Sequence, residues 1–172
     1  VTIGPGSFTG VRTGIAAARG FALAAECPAI GVSSLQAIAA GVERDDEVPV
    51  LVVLDTRRAD YFIQMFDADG QPMAKPSVMD ATGIRRLLRA WRPVLAGNAA
   101  FRLVEEIRIT DSDPIQILPG NDTPDPFIIA GIAENILNTR GVALDTLSPL
   151  YLRAPEAKIP PTEGRLKNRP AG

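Results

Sequence analysis

Between the apolar start Val1-Thr2-Ile3 and a long Ala/Gly-rich stretch stands Gly4-Pro5-Gly6-Ser7-Phe8-Thr9-Gly10, and no other segment constrains the fold as much. Three glycines and a proline end the strand, exclude regular structure from the loop and restart the chain as a helix. From Gly10 to about Ala25 the residues are small or apolar, with Gly10, Gly14 and Ala18 at i, i+4 and i+8. Such a seam lets a neighbouring backbone come close, as in tight helix pairs.

Beyond that helix the pattern keeps alternating. Ala29-Ile30-Gly31-Val32 reads as a short strand, and Ser33 as the cap of a helix from Ser34 to about Ala40. The acidic run 41–48 reads as a linker. Pro49 to Leu54 and Tyr61 to Phe66 read as two strands of a hairpin joined by Asp55 to Asp60, followed by a turn at Asp67-Ala68-Asp69-Gly70. Asp80 caps a helix to about Trp91, with Ile84, Leu87, Leu88 and Trp91 at helical spacing. Pro93 to Gly97 is a strand entering a helix that holds Leu103 and Val104, Ile115 to Leu118 a further strand, and Asp125-Pro126 the start of a helix to about Asn138 with Pro at its first position. Leu150-Tyr151-Leu152 is strand-like, and the Pro- and Lys/Arg-rich tail is expected to be disordered beyond about 161. Alternating strands and helices define an α/β protein.

Composition removes several mechanisms. The 172 residues contain no histidine and one cysteine, Cys27, which excludes Ser-His-Asp and Cys-His catalysis within this chain and any intrachain disulfide. A zinc site would need His or Cys ligands, leaving only carboxylates for a metal. Cys27, before Pro28 at a helix end, reads as a small buried apolar residue. The net charge of −2 carries no bulk attraction for nucleic acid, and no apolar run is long enough to span a bilayer, so no membrane association and a cytoplasmic location are expected.

The glycine loop has two readings. Gly4, Gly6, Ser7 and Thr9 leave backbone N–H groups at a helix start where an anion can sit, with Arg12 in reach of a phosphate. However, Val11 and Arg12 stand where a Walker A loop needs Lys and Ser/Thr, and the spacing is one residue longer than the dinucleotide fingerprint. The alternative is a tight turn for close helix packing, with Arg12 an ion-pair partner. Arg85, Arg89 and Arg92 lie at i, i+4 and i+7 and read as a solvated helix face, approach to RNA phosphate being the other use.

The block Gly4 to Arg12, the helix after it and Gly31-Val32-Ser33-Ser34-Leu35 resemble the signature region of the TsaB (YeaZ) family. Leu54-Asp55-Thr56-Arg57 and Pro149-Leu150-Tyr151-Leu152-Arg153 are similar to later landmarks of that family in the same order. The resemblance implies an actin-like, RNase H-like (ASKHA) α/β fold of two related subdomains. Residues 1–46 are then the remainder of the first subdomain, 47–148 the second, and 149–172 a C-terminal extension. Family members carry a β-meander with an Asp-Thr motif and a helix before the glycine loop, so the chain is expected to be a fragment with an incomplete first subdomain.

The same resemblance implies a non-catalytic subunit in tRNA threonylcarbamoyladenosine biosynthesis that pairs with the catalytic subunit TsaD through helices next to the glycine loop, which assigns the seam of Gly10, Gly14 and Ala18 to partner binding. The assembly recruits the ATPase TsaE, tRNA is met only through the complex, and homodimers are an alternative pairing. TsaD carries two metal-binding histidines at i and i+4 on the helix after the second strand, where this chain has Ser34 and Ile38. No cofactor is therefore expected in this chain, ATP or ADP and a metal belonging to the complex. The hairpin Asp55 to Asp60 lacks the glycines of a nucleotide-binding ATPase, which leaves Asp55, Arg57 and Gly97 as contacts of at most a degenerate nucleotide site. The rival functions are a stand-alone ATPase-like protein and a glycoprotease-type peptidase, the latter lacking a nucleophile and base.

Overall fold

The computed structural model describes residues 1–43, 48–107, 115–118, 120, 122–140 and 147–153. At its centre lies the hairpin of β3 (Val50–Asp55) and β4 (Asp60–Phe66), paired antiparallel from Val50↔Phe66 to Asp55↔Tyr61. Both strands are dense in β-branched and aromatic residues, and nearly every side chain in them is buried. β5 (Ser77–Asp80) adds antiparallel to β4, and β6 (Val94–Ala96) adds parallel to β3, in the order β5-β4-β3-β6. Beyond β6, Ile117 forms an isolated parallel bridge with Leu95. The sheet thus has the mixed pattern of the expected RNase H-like fold.

A strand buried on both sides needs a helical layer on each. On one face lie α3 (Ala81–Trp91) and α4 (Ala100–Ile107), whose Ile84, Leu88, Leu103 and Ile107 join Leu51, Val53, Tyr61, Ile63, Met65 and Leu95 in one core. On the other lies α2 (Ser34–Ala40), whose Leu35, Ile38 and Ala39 join Val50, Val52, Leu54, Phe66 and Val94. α2 thus covers this sheet as well as packing on the segment that precedes it. β1 (Thr2–Gly4) and β2 (Val32–Ser33) form a parallel two-stranded sheet that also packs on α2. α5 (Pro126–Arg140), expected in the second unit, packs on α2 and β2 instead.

α1 (Phe8–Ala24) leans on β1 through a narrow stripe: Val11, Gly14, Ala18 and Ala22 are half-buried around Ile15, its one fully buried residue. It begins at Phe8 rather than Gly10 because Ser7 caps it, its Oγ accepting from the Gly10 N–H at 3.4 Å. Its other end unwinds through Glu26 at φ +50°, and the Cys27 N–H reaches back to the Ala22 carbonyl. That turn leaves Cys27 exposed, not buried as the apolar reading expected.

Asp80 caps α3 by accepting from the Gly83 N–H at 2.8 Å, and Asp125 caps α5 by accepting from the Phe127 N–H at 2.7 Å. Ser33 precedes α2 in extended backbone, yet its side chain makes no capping bond and its Oγ is buried without a partner. Strand pairing is shorter than expected at 29–32 and 115–118, and Leu150-Tyr151-Leu152 forms no strand. The expected disorder beyond 161 lies outside the described residues.

Candidate functional site

The glycine loop, the tip of the β3–β4 hairpin and residues 147–153 meet around a cavity of about 290 Å³. Its walls are Gly4, Pro5, Gly6, Phe8, Val11 and Arg12 from the loop and α1, Thr56, Arg58 and Phe62 from the hairpin, and Leu150 to Arg153. Gly4 has φ +102°, a conformation that L side chains rarely adopt, and it brings the loop against the Leu150 carbonyl.

The segment 147–153 acts as a strap across both parts. Its Leu150 N–H donates to the Ile3 carbonyl at 2.7 Å, and the Leu147 carbonyl accepts from Arg19 at 3.5 Å. Tyr151 packs its ring on Phe8, centroids 5.9 Å apart, and its hydroxyl accepts from Arg12 Nε at 2.7 Å. The Arg12 guanidinium lies 3.8 Å from the Phe8 ring centroid. At the other end Arg153 pairs with Asp60 on the hairpin.

The hairpin tip is built by short-range polar contacts. Asp55 accepts from the Arg57 N–H at 2.8 Å, and Thr56 Oγ1 donates to the Asp60 carbonyl at 2.8 Å, so the six-residue turn closes on itself without glycine while Arg57 takes φ +60°. Arg102 on α4 ties this turn to the sheet: it pairs with Asp55 at 2.9 Å, donates to the Asp60 carbonyl at 3.3 Å and lies 4.4 Å from the centre of the Tyr61 ring. The Tyr61 hydroxyl donates to Glu106, and burial, aided by that carboxylate, pushes its pKa above the usual phenol value.

The sequence-predicted residues fall into three groups. Gly4, Gly6 and Arg12 line the cavity, Ser7 is the helix cap, and Thr9 is exposed at the helix start. Arg12 is held by two aromatic rings and a hydroxyl, not by a carboxylate. Asp55 and Gly97 each meet a neighbour of the other: the Asp55 N–H donates to Oδ1 of Asn98 at 2.9 Å, and Gly97 at φ +100° lies against the Val53 carbonyl. Both thereby have structural roles, and Arg57 stands at the exposed turn.

The Gly10, Gly14, Ala18 seam is split: Gly10 is exposed, but Gly14 and Ala18 are half-buried, and a Cβ on Gly14 would meet Val1 at 3.6 Å. The reason is the 100° step per residue, which turns Gly14 and Ala18 toward Ile15 and the protein. The outward face instead carries Thr13, Ala16, Ala17, Gly20, Phe21, Leu23 and Ala24, with Phe21 76% and Leu23 83% exposed. It bears no charge, the helix's only ionic residues being Arg12 and Arg19 on its flank.

Ser34 and Ile38 are buried in α2, and Ile38 packs into the core beneath the sheet. Among the described residues no three His, Cys, Asp or Glu side chains converge as a metal set, and no helix is long and apolar enough to cross a membrane. Sequence reasoning missed Arg102, Asn98 and Asp60, whose partners are remote in sequence or backbone atoms and leave no local pattern.

The family described as TsaD: tRNA N6-adenosine threonylcarbamoyltransferase matches residues 1–139. The chain is 32% identical over 161 residues to the tRNA threonylcarbamoyladenosine biosynthesis protein TsaB of Escherichia coli K12, covering 87% of this chain and 68% of that protein. It is 28% identical over 166 residues to the protein of the same name from Bacillus subtilis 168, covering 92% of this chain and 70% of that one. It thus spans about two thirds of the length of these relatives. YeaZ from Pseudomonas aeruginosa superposes with a TM-score of 0.67 at 22% identity, over 88% of this chain and 72% of that chain, a likeness of fold.

Proposed function

Given that the chain belongs to the TsaB (YeaZ) family, we propose that it serves tRNA threonylcarbamoyladenosine biosynthesis as a non-catalytic subunit that docks on a TsaD-like catalytic subunit. The observation that carries this reading is the uncharged outward face of α1. A soluble protein rarely leaves Phe and Leu more than three-quarters exposed on one helix with no charge between them unless another surface covers them. Small residues Ala16, Ala17, Gly20 and Ala24 around Phe21 let a second helix approach closely. Gly10 lies at the edge of this face, and Gly14 and Ala18 support it from beneath.

The remaining parts of the reading follow from the same site. With Ser34 and Ile38 where the catalytic relative has metal ligands, the metal and the ATP or ADP are assigned to the partner subunits, and the TsaE-like ATPase joins the assembled pair. tRNA is engaged by the complex. A second copy of this chain can use the same face when the catalytic subunit is absent.

The test is Phe21→Glu, with Ala17→Arg as a second variant, in full-length protein co-purified with its catalytic subunit. Both positions face solvent, so circular dichroism is expected to be unchanged. Burying a side chain such as Phe21 stabilises an interface by about 2 kcal/mol, so its loss weakens pairing about 30-fold. Undiminished pairing of both variants sinks the assignment. Pairing kept with the catalytic subunit but lost between copies assigns the face to the homodimer instead.

A further inference from the structure

Helix α3 carries a concentration of positive charge outside the docking face of α1. Between Lys75 and Arg92 stand five of the chain's 18 basic residues and one of its 20 acidic ones. The one acid, Asp80, is occupied in capping the helix. Within α3 the arginines meet only one another at helical spacing: Arg85 with Arg89 at i+4, Arg86 with Arg89 and, at the end of the helix, Arg89 with Arg92 at i+3. Each like-charge pair is mildly destabilising, and no carboxylate on the helix offsets it.

Three ordinary explanations fall short. The helix dipole favours cations in the last turn, which covers Arg89 and Arg92 but not Arg85 and Arg86. Among the described residues, the elements packed with α3 offer Glu105 and Glu106 on α4, and Glu106 already receives the Tyr61 hydroxyl. Core packing uses the other side of the helix, Ala81, Ile84 and Leu88, while Arg86, Arg89 and Arg92 face solvent. Trp91, the only tryptophan, is 52% exposed at the end of the row. Arg89 and Arg92 also have partners within the protein, and a guanidinium with five donors can hold an internal partner and a phosphate together.

We propose that the exposed arginines of α3, Arg86, Arg89 and Arg92, form a contact for the phosphate backbone of the tRNA that the complex modifies. This rests on the proposed role in tRNA modification and adds a nucleic-acid surface to it. The row is about 10 Å long, enough to meet consecutive phosphates of one strand, and arginine engages each phosphate with paired N–H donors. A local basic row attracts phosphate although the chain as a whole carries a net charge of −2. α3 lies on the sheet face opposite α2, and its arginines are distinct from the residues of the α1 docking face.

The test uses the full chain with its catalytic subunit, and in parallel the chain alone, titrated with tRNA at several salt concentrations. Arg86, Arg89 and Arg92 are changed together to Gln in one variant and to Lys in another. The Gln variant is expected to bind tRNA at least tenfold more weakly at low salt, with the slope of log K against log salt reduced by about two. The Lys variant is expected to stay within about threefold of the parent. In the isolated chain, tRNA is expected to quench Trp91 fluorescence, and the Gln variant to lose that response. Parent-like tRNA binding by the Gln variant overturns the proposal, as does a Lys variant that falls equally far. Unchanged tRNA binding with weaker association of the TsaE-like ATPase also overturns it and assigns the row to an acidic protein surface. If the parent chain does not pair with the catalytic subunit, the proposed function fails, while the arginine row is still judged by the isolated chain's salt slope and fluorescence.

Discussion

Replacing Gly97 by alanine adds one methyl group at the point where β6 turns into the loop before α4. Gly97 has φ +100°, and a Cβ there would stand 3.1 Å from the Val53 carbonyl carbon, closer still to its oxygen, and 3.2 Å from Leu54 Cδ2. Val53 cannot retreat: it is fully buried in β3, paired with Ile63 of β4, and its carbonyl also accepts the Ala99 N–H at 3.2 Å. The backbone strain costs about 1–2 kcal/mol, the overpacking about 1–3 kcal/mol, and a weakened Ala99 hydrogen bond about 1 kcal/mol.

A total near 4 kcal/mol is a large part of a typical folding free energy of about 5–15 kcal/mol. In a chain of this size it lowers Tm by about 10 °C. Urea unfolding followed by circular dichroism measures it as a lower midpoint at an unchanged slope. A loss below about 1 kcal/mol refutes the reasoning that Gly97 is glycine for close backbone packing, and returns it to the nucleotide contacts that the sequence suggested.

Further outcomes follow from the same contacts. Asp80→Ala removes the cap of α3 and is expected to cost about 1 kcal/mol in urea unfolding. Arg12→Ala and Tyr151→Phe each loosen the strap, and their double-mutant cycle is expected to show a coupling of about 0.5–1 kcal/mol; independent effects would mean that the strap is not held by this pair. The raised pKa of Tyr61 means the folded state holds the phenol proton more tightly than the unfolded chain. Its contribution to stability is therefore complete below the unfolded value near 10 and is lost as pH rises through the folded pKa. Absorbance titration of the phenolate is expected to show a component above the usual range that Tyr61→Phe removes.

What the sequence determined by itself is the local grammar. The Gly4 to Gly10 loop, the cap at Asp80, Pro126 in the first turn of α5 behind Asp125 and the two apolar strands of the hairpin each follow from residues within about four positions of one another, the range over which caps, turns and periodicity act. The family signature in that loop also carried the fold class.

Only tertiary structure decided the rest. The strap joins Arg12 to Tyr151 across 139 positions and Asp60 to Arg153 across 93, distances over which no periodic pattern survives. The small-residue seam could be seen in sequence, but which side of α1 faces β1 depends on where Ile15 and Val11 find apolar neighbours, and that turned Gly14 and Ala18 inward. α2 went to the sheet of the second unit because β3 is apolar on both faces and needed a second layer. Periodicity specifies that a face will be buried; the partner that buries it is set only when the whole chain has packed.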